Sequence, residues 1–255
     1  MSLPKEILEL FEPIALEEME KVRLMNRIDS KFVTNTDKLI ELLKIASNDF
    51  LLQEIDGKRN MPYSSCYYDT PDRDMFYQHQ RGKKRRQKVR TRLYEGSMDV
   101  PFLEIKSKNN KGRTKKKRVL MEDGEEISIY QEFMEKNCGY ELENLSPVLT
   151  NHFYRLTLVN KDMTERITID TDLEINNLIT GNRVELPDTV IIEWKRDGVN
   201  SKSGLGLILR SLHIRQMSFS KYCLGMAMTN PDLKQNRVKK NIRMINRVSD
   251  RVQSL

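Results

Sequence analysis

Residues 88–94 read KVRTRLY, and basic side chains alternate in this stretch with apolar or small ones. Successive side chains of a β-strand point to opposite faces of its sheet. The pattern therefore predicts a strand that has Lys88, Arg90 and Arg92 on one face and Val89 and Leu93 on the other. One face of such a strand suits an apolar core, and the other suits water or an anion.

The same period of two recurs in four further segments, which read RIDSKF (27–32), FLEIKSK (102–108), ERITIDTD (165–172) and VIIEWKR (190–196). For any single strand, an ordinary solvated face is the simpler interpretation. Across five strands the polar faces are rich in Arg and Lys, with isolated carboxylates between them. Guanidinium groups make forked contacts with phosphate oxygens, and a row of like charges repels itself unless an anion lies among them. The pattern favours a phosphate-binding surface.

Other segments predict the elements that would complete such a fold. Near-helical spacing of apolar residues occurs in 4–25, 37–46, 125–137 and 232–253, and further strand patterns occur in 63–69, 114–121, 152–159 and 215–222. A sheet of about eight strands that is charged on one face and apolar on the other can close into a barrel with a polar lumen. We therefore expect an α+β fold with mainly antiparallel strands, in which a closed eight-stranded β-barrel is flanked by helices.

The chain of 255 residues contains no internal repeat and no low-complexity linker. It is expected to form a single domain over residues 1–255. Within this domain we expect an N-terminal helix at 1–25, the barrel at 26–225 and a basic C-terminal helix at 226–255.

Composition points to an anionic partner, because the formal net charge is +7 and the sequence pI is about 9.2. Nucleic acid is a weaker candidate, since its binders interleave exposed basic residues with stacking aromatics and this pattern is absent. The three cysteines show no metal-binding spacing, and no apolar run approaches the ~20 residues of a membrane span. No signal peptide is visible, so we expect a cytoplasmic protein.

Eight short motifs in order resemble a known family, namely RIDSKFV (27–33), YYDT (67–70), KVRTRLY (88–94), FLEIKSK (102–108) followed by RTKKKR (113–118), YRLTL (154–158), RITIDTDL (166–173), IIEWK (191–195) and FSKY (219–222). They are similar to the VTC domain, the catalytic core of eukaryotic vacuolar polyphosphate polymerases. That family belongs to the triphosphate tunnel metalloenzymes, a CYTH-like superfamily. The resemblance extends from about residue 20 to residue 225.

The resemblance implies roles for particular residues. Six basic residues are implied to act in catalysis: Lys31, Arg90, Arg92, Lys106, Arg166 and Lys221. Three others match phosphate-binding positions, Arg81 more loosely than Lys117 and Arg155. The charged faces add Arg27, Lys88 and Lys195 as phosphate-binding candidates. Glu193 matches the acidic residue that holds a divalent metal, Mn²⁺ or Mg²⁺, and a single carboxylate can suffice for a hard cation that keeps waters and bridges phosphates.

The expected function is that of a metal-dependent polyphosphate polymerase, which transfers the γ-phosphate of ATP to a polyphosphate chain inside a basic tunnel. The expected partners are ATP or another nucleoside triphosphate and inorganic polyphosphate or pyrophosphate. The acceptor is already anionic and needs no general base, which agrees with the lack of an evident catalytic histidine.

Two departures from the family pattern keep alternatives open. Ser218 stands where the family usually has Lys, and Arg27-x-Asp29-x-Lys31 replaces the Glu-x-Glu-x-Lys of the triphosphatases. The alternatives are a triphosphate or nucleotide hydrolase of the same superfamily and a non-enzymatic polyphosphate- or nucleotide-binding module.

Overall fold

The computed structural model describes residues 3–19, 22, 27–96, 100–111, 113–122, 124–198 and 204–249. Its strands are β1 (Pro13–Ile14), β2 (Arg27–Thr34), β3 (Phe50–Gln53), β4 (Met61–Asp69), β5 (Arg86–Tyr94), β6 (Phe102–Lys108), β7 (Thr114–Leu120), β8 (Ser146–Asn160), β9 (Glu165–Asn177), β10 (Arg183–Leu186) and β11 (Val190–Asp197). Its helices are α1 (Lys5–Glu9), α2 (Leu16–Met19), α3 (Thr36–Ala46), α4 (Asp74–Gln80), α5 (Gln131–Asn137), α6 (Gly204–Ser211), α7 (Lys221–Thr229) and α8 (Lys239–Ser249).

These strands form one sheet whose main path runs in the order β2-β11-β9-β8-β4-β5-β6-β7. Every pair along this path is antiparallel. Strand β3 adds to β8, β10 adds to β9, and the short β1 pairs with β3 in parallel. The prediction of an α+β fold with mainly antiparallel strands is confirmed.

The prediction of a closed barrel is wrong, because the sheet curls through 205° and remains an open half-barrel. Within the described ranges, β7 pairs only with β6, and β2 pairs only with β11 apart from one bridge between Phe32 and Gln216. That bridge, and the 2.8 Å hydrogen bond from Met217 N to Lys31 O, already use part of the free edge of β2. The predicted strand at 215–222 is therefore this short edge segment followed by α7.

Electrostatics also opposes closure of the sheet. The sequence of β7, TKKKRVL, presents four consecutive cations to solvent, and Lys31 lies on β2 at the other edge. Pairing β7 with β2 would bring these cations near Lys31, and Asp29 is the one carboxylate that the described part of β2 offers to balance them. Several element boundaries also differ from prediction. The helix expected at 4–25 is divided into α1, β1 and α2, and α8 begins only at Lys239. Residues 1, 2, 20, 21, 23–25 and 250–255 of the predicted helices lie outside the described residues.

The convex face of the sheet is covered by helices α1, α3 and α6. Buried residues of the strands, such as Leu158, Ile169 and Ile192, form one core with Leu39 and Leu205 of the helices. The alternating apolar residues of β2, β8, β9 and β11 supply the sheet side of this core, as the period of two predicts. The opposite face of the same strands is therefore left for the charged residues.

Helix α7 packs against one end of that opposite face. Gly225 of α7 lies so close to the sheet that a Cβ atom there would be 2.8 Å from Ile175 Cγ2 and 3.0 Å from Leu149 Cδ1. The helix joins Tyr67, Leu149 and Ile175 in a second apolar core. Because α7 fills this end, the N-terminus of α7 is held beside the charged part of the strands.

Candidate functional site

The charged residues of neighbouring strands lie on one continuous face of the sheet. Directly opposite residues of a ladder share a face, and the register pairs Lys31 with Glu193, Arg155 with Asp170, Arg90 with Glu104, and Lys88 with Lys106. The alternation seen in each strand separately is thus in phase across the sheet.

This face is the inner surface of the curled sheet. A cavity of about 520 Å³ is lined by Asp29 and Lys31 of β2, Glu193 of β11, and Lys88 and Lys106 of β5 and β6. Strands β2 and β6 lie near opposite ends of the strand order, so their side chains can line one cavity only on the concave side. We call the concave face of β2, β11, β9, β8, β4, β5, β6 and β7, together with segment 216–221, the trough.

Glu104 is the carboxylate at the centre of one ion-pair group in the trough. Arg90 donates to Glu104 Oε2 from Nε at 2.9 Å and from Nη2 at 2.6 Å, and Lys116 Nζ lies 2.6 Å from Oε1. Burial alone would raise the pKa of Glu104, but the charges of Arg90, Arg92 and Lys116 outweigh it and lower the pKa to about 2. These charges keep Glu104 ionised. Its side chain is 1% exposed, and both carboxylate oxygens are engaged by cations.

Asp170 is the centre of a second group. Arg155 binds Asp170 through two hydrogen bonds, Nε to Oδ1 at 2.6 Å and Nη2 to Oδ2 at 2.8 Å, and Lys221 Nζ also donates to Oδ2. Burial opposes ionisation, yet Arg155 and Lys221 hold the pKa of Asp170 well below its usual range. Lys221 is the first residue of α7, whose N-cap Ser220 accepts a hydrogen bond from Cys223 N. The packing of α7 therefore positions Lys221 in the trough.

Glu193 differs from these two carboxylates. Its Oε2 lies 3.8 Å from Lys195 Nζ, beyond hydrogen-bonding distance, and its side chain is 20% exposed. Burial would raise the pKa of Glu193, but Lys31, Lys195 and Lys106 hold it well below its usual range, so the group is a carboxylate at neutral pH. A hard divalent cation could bind here, because it needs only oxygen ligands, and phosphate oxygens and water can supply the others. Within the described ranges no group of three or more His, Cys, Asp or Glu residues is placed to hold a metal.

Four cations in the trough have lowered pKa values, and burial is the first cause for each. The pKa of Lys221 falls to about 8, that of Arg92 falls to about 10, and that of Lys88 is also lowered. Water reaches Lys106 from the open side, but the surrounding protein and the charges of Lys31 and Lys88 lower its pKa to about 8. A bound anion would relieve this penalty on the charged forms.

Neutral groups accept hydrogen bonds from two of these cations. Lys88 Nζ lies 2.6 Å from Ser220 Oγ, and Arg92 Nε lies 3.0 Å from Ser65 Oγ. Lys31 Nζ donates to the carbonyl oxygen of Phe219 at 3.4 Å. Hydroxyl and carbonyl oxygens keep the side chains in place but provide no full negative charge.

Other predicted site residues are placed differently. Arg166 shares the inner face with Lys195, but its Nη2 donates to Met19 O at 2.7 Å, outside the cavity. Arg81 is exposed at the end of α4, with its guanidinium 5.8 Å from the ring centroid of Tyr77. Lys117 pairs with Ile105 on the convex face. Arg27 begins β2, and its side chain lies outside the described residues.

Sequence reasoning missed several residues of the trough. Lys116 and Arg118 occupy the inner face of β7, opposite Lys106 and Glu104. Residues 115–118 are all basic, so the sequence does not show which of them face the inside of the sheet. Only the pairing of β7 with β6 shows it. Tyr67 lies beneath Arg90, with 3.3 Å between the hydroxyl and Nη1. Burial would raise the pKa of Tyr67, but Arg90, Arg92 and Lys221 lower it to about 7.

His79 also lines the cavity. Burial and the charges of Lys88 and Arg86 lower its pKa to about 3, so it is neutral at physiological pH. A group this weakly basic is poorly suited to accept a proton during a reaction.

A family model described as the VTC domain matches residues 26–230. No curated protein matches the chain. Among solved structures, a protein from Hippeastrum assigned as an adenylyl cyclase and described as having a dominant triphosphatase activity is 15% identical, with a TM-score of 0.48 over 80% of this chain and 96% of that one.

Two further structures show lower similarity. A conserved hypothetical protein from Pyrococcus furiosus is 13% identical, with a TM-score of 0.41 over 74% of this chain and 92% of that one. The Mimivirus capping enzyme triphosphatase is also 13% identical, with a TM-score of 0.37 over 79% of this chain and 95% of that one.

None of the helices in the described part of the chain has the length and apolar character needed to cross a bilayer. The family match covers residues 26–230, which include the trough strands and α7 with Lys221. The chain belongs to the VTC domain family.

Proposed function

We propose that this protein is a metal-dependent polyphosphate polymerase that transfers the γ-phosphate of ATP to a polyphosphate chain. The single observation that supports this proposal best is the group of trough cations with lowered pKa values, Lys88, Arg92 and Lys106, of which Lys88 and Arg92 donate to the neutral hydroxyls of Ser220 and Ser65. Such a surface gains free energy when a linear polyanion binds. A triphosphate and a polyphosphate chain are linear polyanions.

The trough residues would act by binding and orienting both phosphate chains. Lys31, Lys88 and Lys106 come from β2, β5 and β6, so cations line the cavity from several elements. Groups fixed in this way can align a donor with an acceptor and balance the charge that develops during transfer. The ion pairs at Glu104 and Asp170 would hold Arg90 and Arg155 in position.

No general base is required for this reaction. The terminal oxygen of a polyphosphate acceptor is anionic, so no proton must be removed before it attacks the γ-phosphorus of ATP. The bond between the γ-phosphorus and the β–γ bridging oxygen breaks, and ADP leaves with the electron pair. The neutral, weakly basic His79 in the cavity agrees with a mechanism that does not use proton transfer.

Glu193 is the residue that would hold the divalent metal. Glu104 and Asp170 are each bound by two cationic side chains, whereas the cation nearest to Glu193 in the ion pairs described above is 3.8 Å away. When bound there, the metal would reduce the negative charge of the transferring group. Because Lys31, Lys106 and Lys195 surround Glu193, we expect the metal to enter with the nucleotide and not alone.

Hydrolysis of a triphosphate is the second candidate, and the open side of the half-barrel favours it. The gap between β7 and β2 admits water, which could replace polyphosphate as the acceptor. The same trough residues would then bind the donor. A binding module without turnover is the third candidate.

The test is to incubate the purified protein with ATP and Mn²⁺, and to measure ADP, free phosphate and polyphosphate on a gel. A polymerase yields ADP and a polyphosphate ladder, a hydrolase yields ADP and an equal amount of free phosphate, and a binding module yields neither. Lys106→Met should lose turnover, whereas Lys239→Met, on the exposed surface of α8, is the matched control and should keep it. Equal loss in both variants would contradict a reaction in the trough.

A further inference from the structure

The basic residues of the chain are distributed very unevenly. Residues 81–94 and 105–121 contain sixteen of the 44 lysines and arginines and no Asp or Glu. The remaining 28 basic residues are outnumbered by the 37 acidic ones. The positive net charge of the protein therefore originates in these two segments, and the rest of the chain is net acidic.

The strand register brings the two segments together at one end of the sheet. Arg86 at the start of β5 pairs with Lys108 at the end of β6, and Lys108 pairs with Thr114 at the start of β7. The loop that precedes β5 and the turn that joins β6 to β7 are consequently adjacent. Five exposed basic residues lie there, and we call them the mouth patch: Lys83, Lys84, Arg85, Lys111 and Arg113.

The mouth patch is continuous with the trough. Arg86, Lys108 and Thr114 line the same cavity as Lys88 and Lys106. An extended anion that occupies the trough and leaves it at this end must therefore pass the mouth patch.

A further cation joins this end from the C-terminal part of the chain. A Cβ atom at Gly82 would lie 2.2 Å from Arg237 Nη1, so the guanidinium of Arg237 rests against the loop before β5. The lowered pKa of His79 has burial as its first cause, and the charges of Lys88, Arg86, Arg237 and Lys108 add to it. These groups converge on one region of positive potential.

We infer that the mouth patch is a second phosphate-binding surface, which holds the part of a long polyphosphate chain that extends out of the trough. The inference relies on the proposed function for the identity of the ligand. The mouth patch would raise affinity for long chains and leave affinity for a tripolyphosphate unchanged, because a short anion is fully contained by the trough.

Polyphosphate fits this surface better than RNA does. The parts of the two segments at the mouth patch, 81–86 and 108–114, contain no Phe, Tyr or Trp, so they offer no platform on which bases could stack. Binders of single-stranded nucleic acid combine basic grooves with such platforms. A chain of phosphates without bases needs only the charges.

The test compares a mouth variant, Lys83→Gln/Lys84→Gln/Arg85→Gln, with a control variant, Lys44→Gln/Lys58→Gln/Arg210→Gln. The side chains of all six residues are exposed, and Arg86 Nη1 bonds to the backbone carbonyl of Lys83, which the substitution retains. Both variants lose three positive charges, so a change in net charge alone affects them equally. Thermal unfolding of both variants confirms that they are folded.

Binding of tripolyphosphate, long-chain polyphosphate and single-stranded RNA is measured by titration at several salt concentrations. The mouth variant should bind long-chain polyphosphate about tenfold more weakly than wild type, and its log–log salt slope should be smaller by about 2 to 3. Its affinity for tripolyphosphate should be unchanged, and the control variant should match wild type for both ligands.

Several results would overturn the inference. Equal losses in the mouth and control variants would mean that only net charge matters. Equal losses for tripolyphosphate and long chains would place the effect inside the trough. Preference of the wild type for RNA at equal phosphate concentration, with loss in the mouth variant, would identify a nucleic-acid surface instead. Absence of turnover would refute the proposed polymerase but leave these binding results interpretable.

Discussion

Arg92 offers the sharpest test of whether the trough cations serve binding or folding. Arg92 is 6% exposed, and its Nε donates to the neutral Ser65 Oγ at 3.0 Å. Burial, together with the charges of Arg90 and Arg155, lowers the pKa of Arg92 from 12.5 to about 10. The charged form is thus destabilised in the protein without an anion. We expect Arg92→Met to have effects of opposite sign on stability and on affinity.

The magnitudes follow from these observations. Lowering the pKa from 12.5 to about 10 corresponds to an unfavourable free energy of about 3 kcal/mol at about 1.4 kcal/mol per pKa unit. Methionine fills a similar volume, but it loses cation–π contacts with Tyr63 and Phe153 worth about 1 kcal/mol. The free energy of unfolding should therefore be unchanged or higher by up to about 2 kcal/mol. Loss of a charge-assisted bond to phosphate should weaken tripolyphosphate binding by about 1.5–3 kcal/mol, or roughly tenfold to a hundredfold.

Urea unfolding without anion and calorimetric titration with tripolyphosphate measure the two effects. Arg155→Met is the informative comparison, because it leaves the buried Asp170 without its bidentate partner and should reduce stability by about 3–5 kcal/mol as well as affinity. Lys239→Met should change neither quantity. If Arg92→Met unfolds as easily as Arg155→Met and still binds tripolyphosphate normally, Arg92 serves the fold and our reasoning about the trough is refuted.

Three further outcomes are expected. Glu193→Gln should abolish turnover with Mn²⁺, which product gels measure. The variant should bind tripolyphosphate in EDTA at least as tightly as wild type, which calorimetry measures. Unchanged turnover would place the metal elsewhere. Affinity for tripolyphosphate should stay constant from about pH 6 to about pH 8 and fall above pH 8. The reason is that Lys106 and Lys221, with pKa about 8 instead of 10.5, must take up protons on binding at higher pH. Calorimetry in buffers of different ionisation enthalpy measures this proton uptake. Tyr222→Phe removes the hydroxyl that donates to the buried Asp69 and should reduce the free energy of unfolding in urea by about 1–3 kcal/mol.

Much of the trough could be predicted from strand alternation alone. Where charged and apolar residues alternate, as in 88–94, the sequence shows which side chains share a face. Lys88, Arg90 and Arg92 do lie together on the inner face. The run 115–118 gives no such indication, because every side chain in it is basic. Only the ladder with β6 places Lys116 inside and Lys117 outside.

Tertiary contacts account for the residues that sequence could not place. The guanidinium of Arg166 meets the carbonyl of Met19, a residue 147 positions earlier in the chain, and no local pattern signals that contact. Lys221 lies in the trough because α7 packs on Leu149 and Ile175, with Gly225 allowing the close approach. Period-two reasoning predicted a strand over 215–222 and so could not reveal that the position of Lys221 depends on a helix.

Cations lie on both edge strands of the open sheet as well as in the trough between them. Alternation shows that each strand has a charged face, but closure requires the last strand to pair with the first, and here β7 and β2 both present cations. Without an anion between them, their pairing is opposed by repulsion and by the segment that bridges Phe32 to Gln216. Burial is the first cause of the lowered pKa values of Lys106 and Arg92, followed by the charges of Lys31, Lys88 and Arg90 for Lys106 and of Arg90 and Arg155 for Arg92. Under the proposed function, a polyanion in the trough would offset both the burial cost and the repulsion among these cations, and this relief would favour its binding.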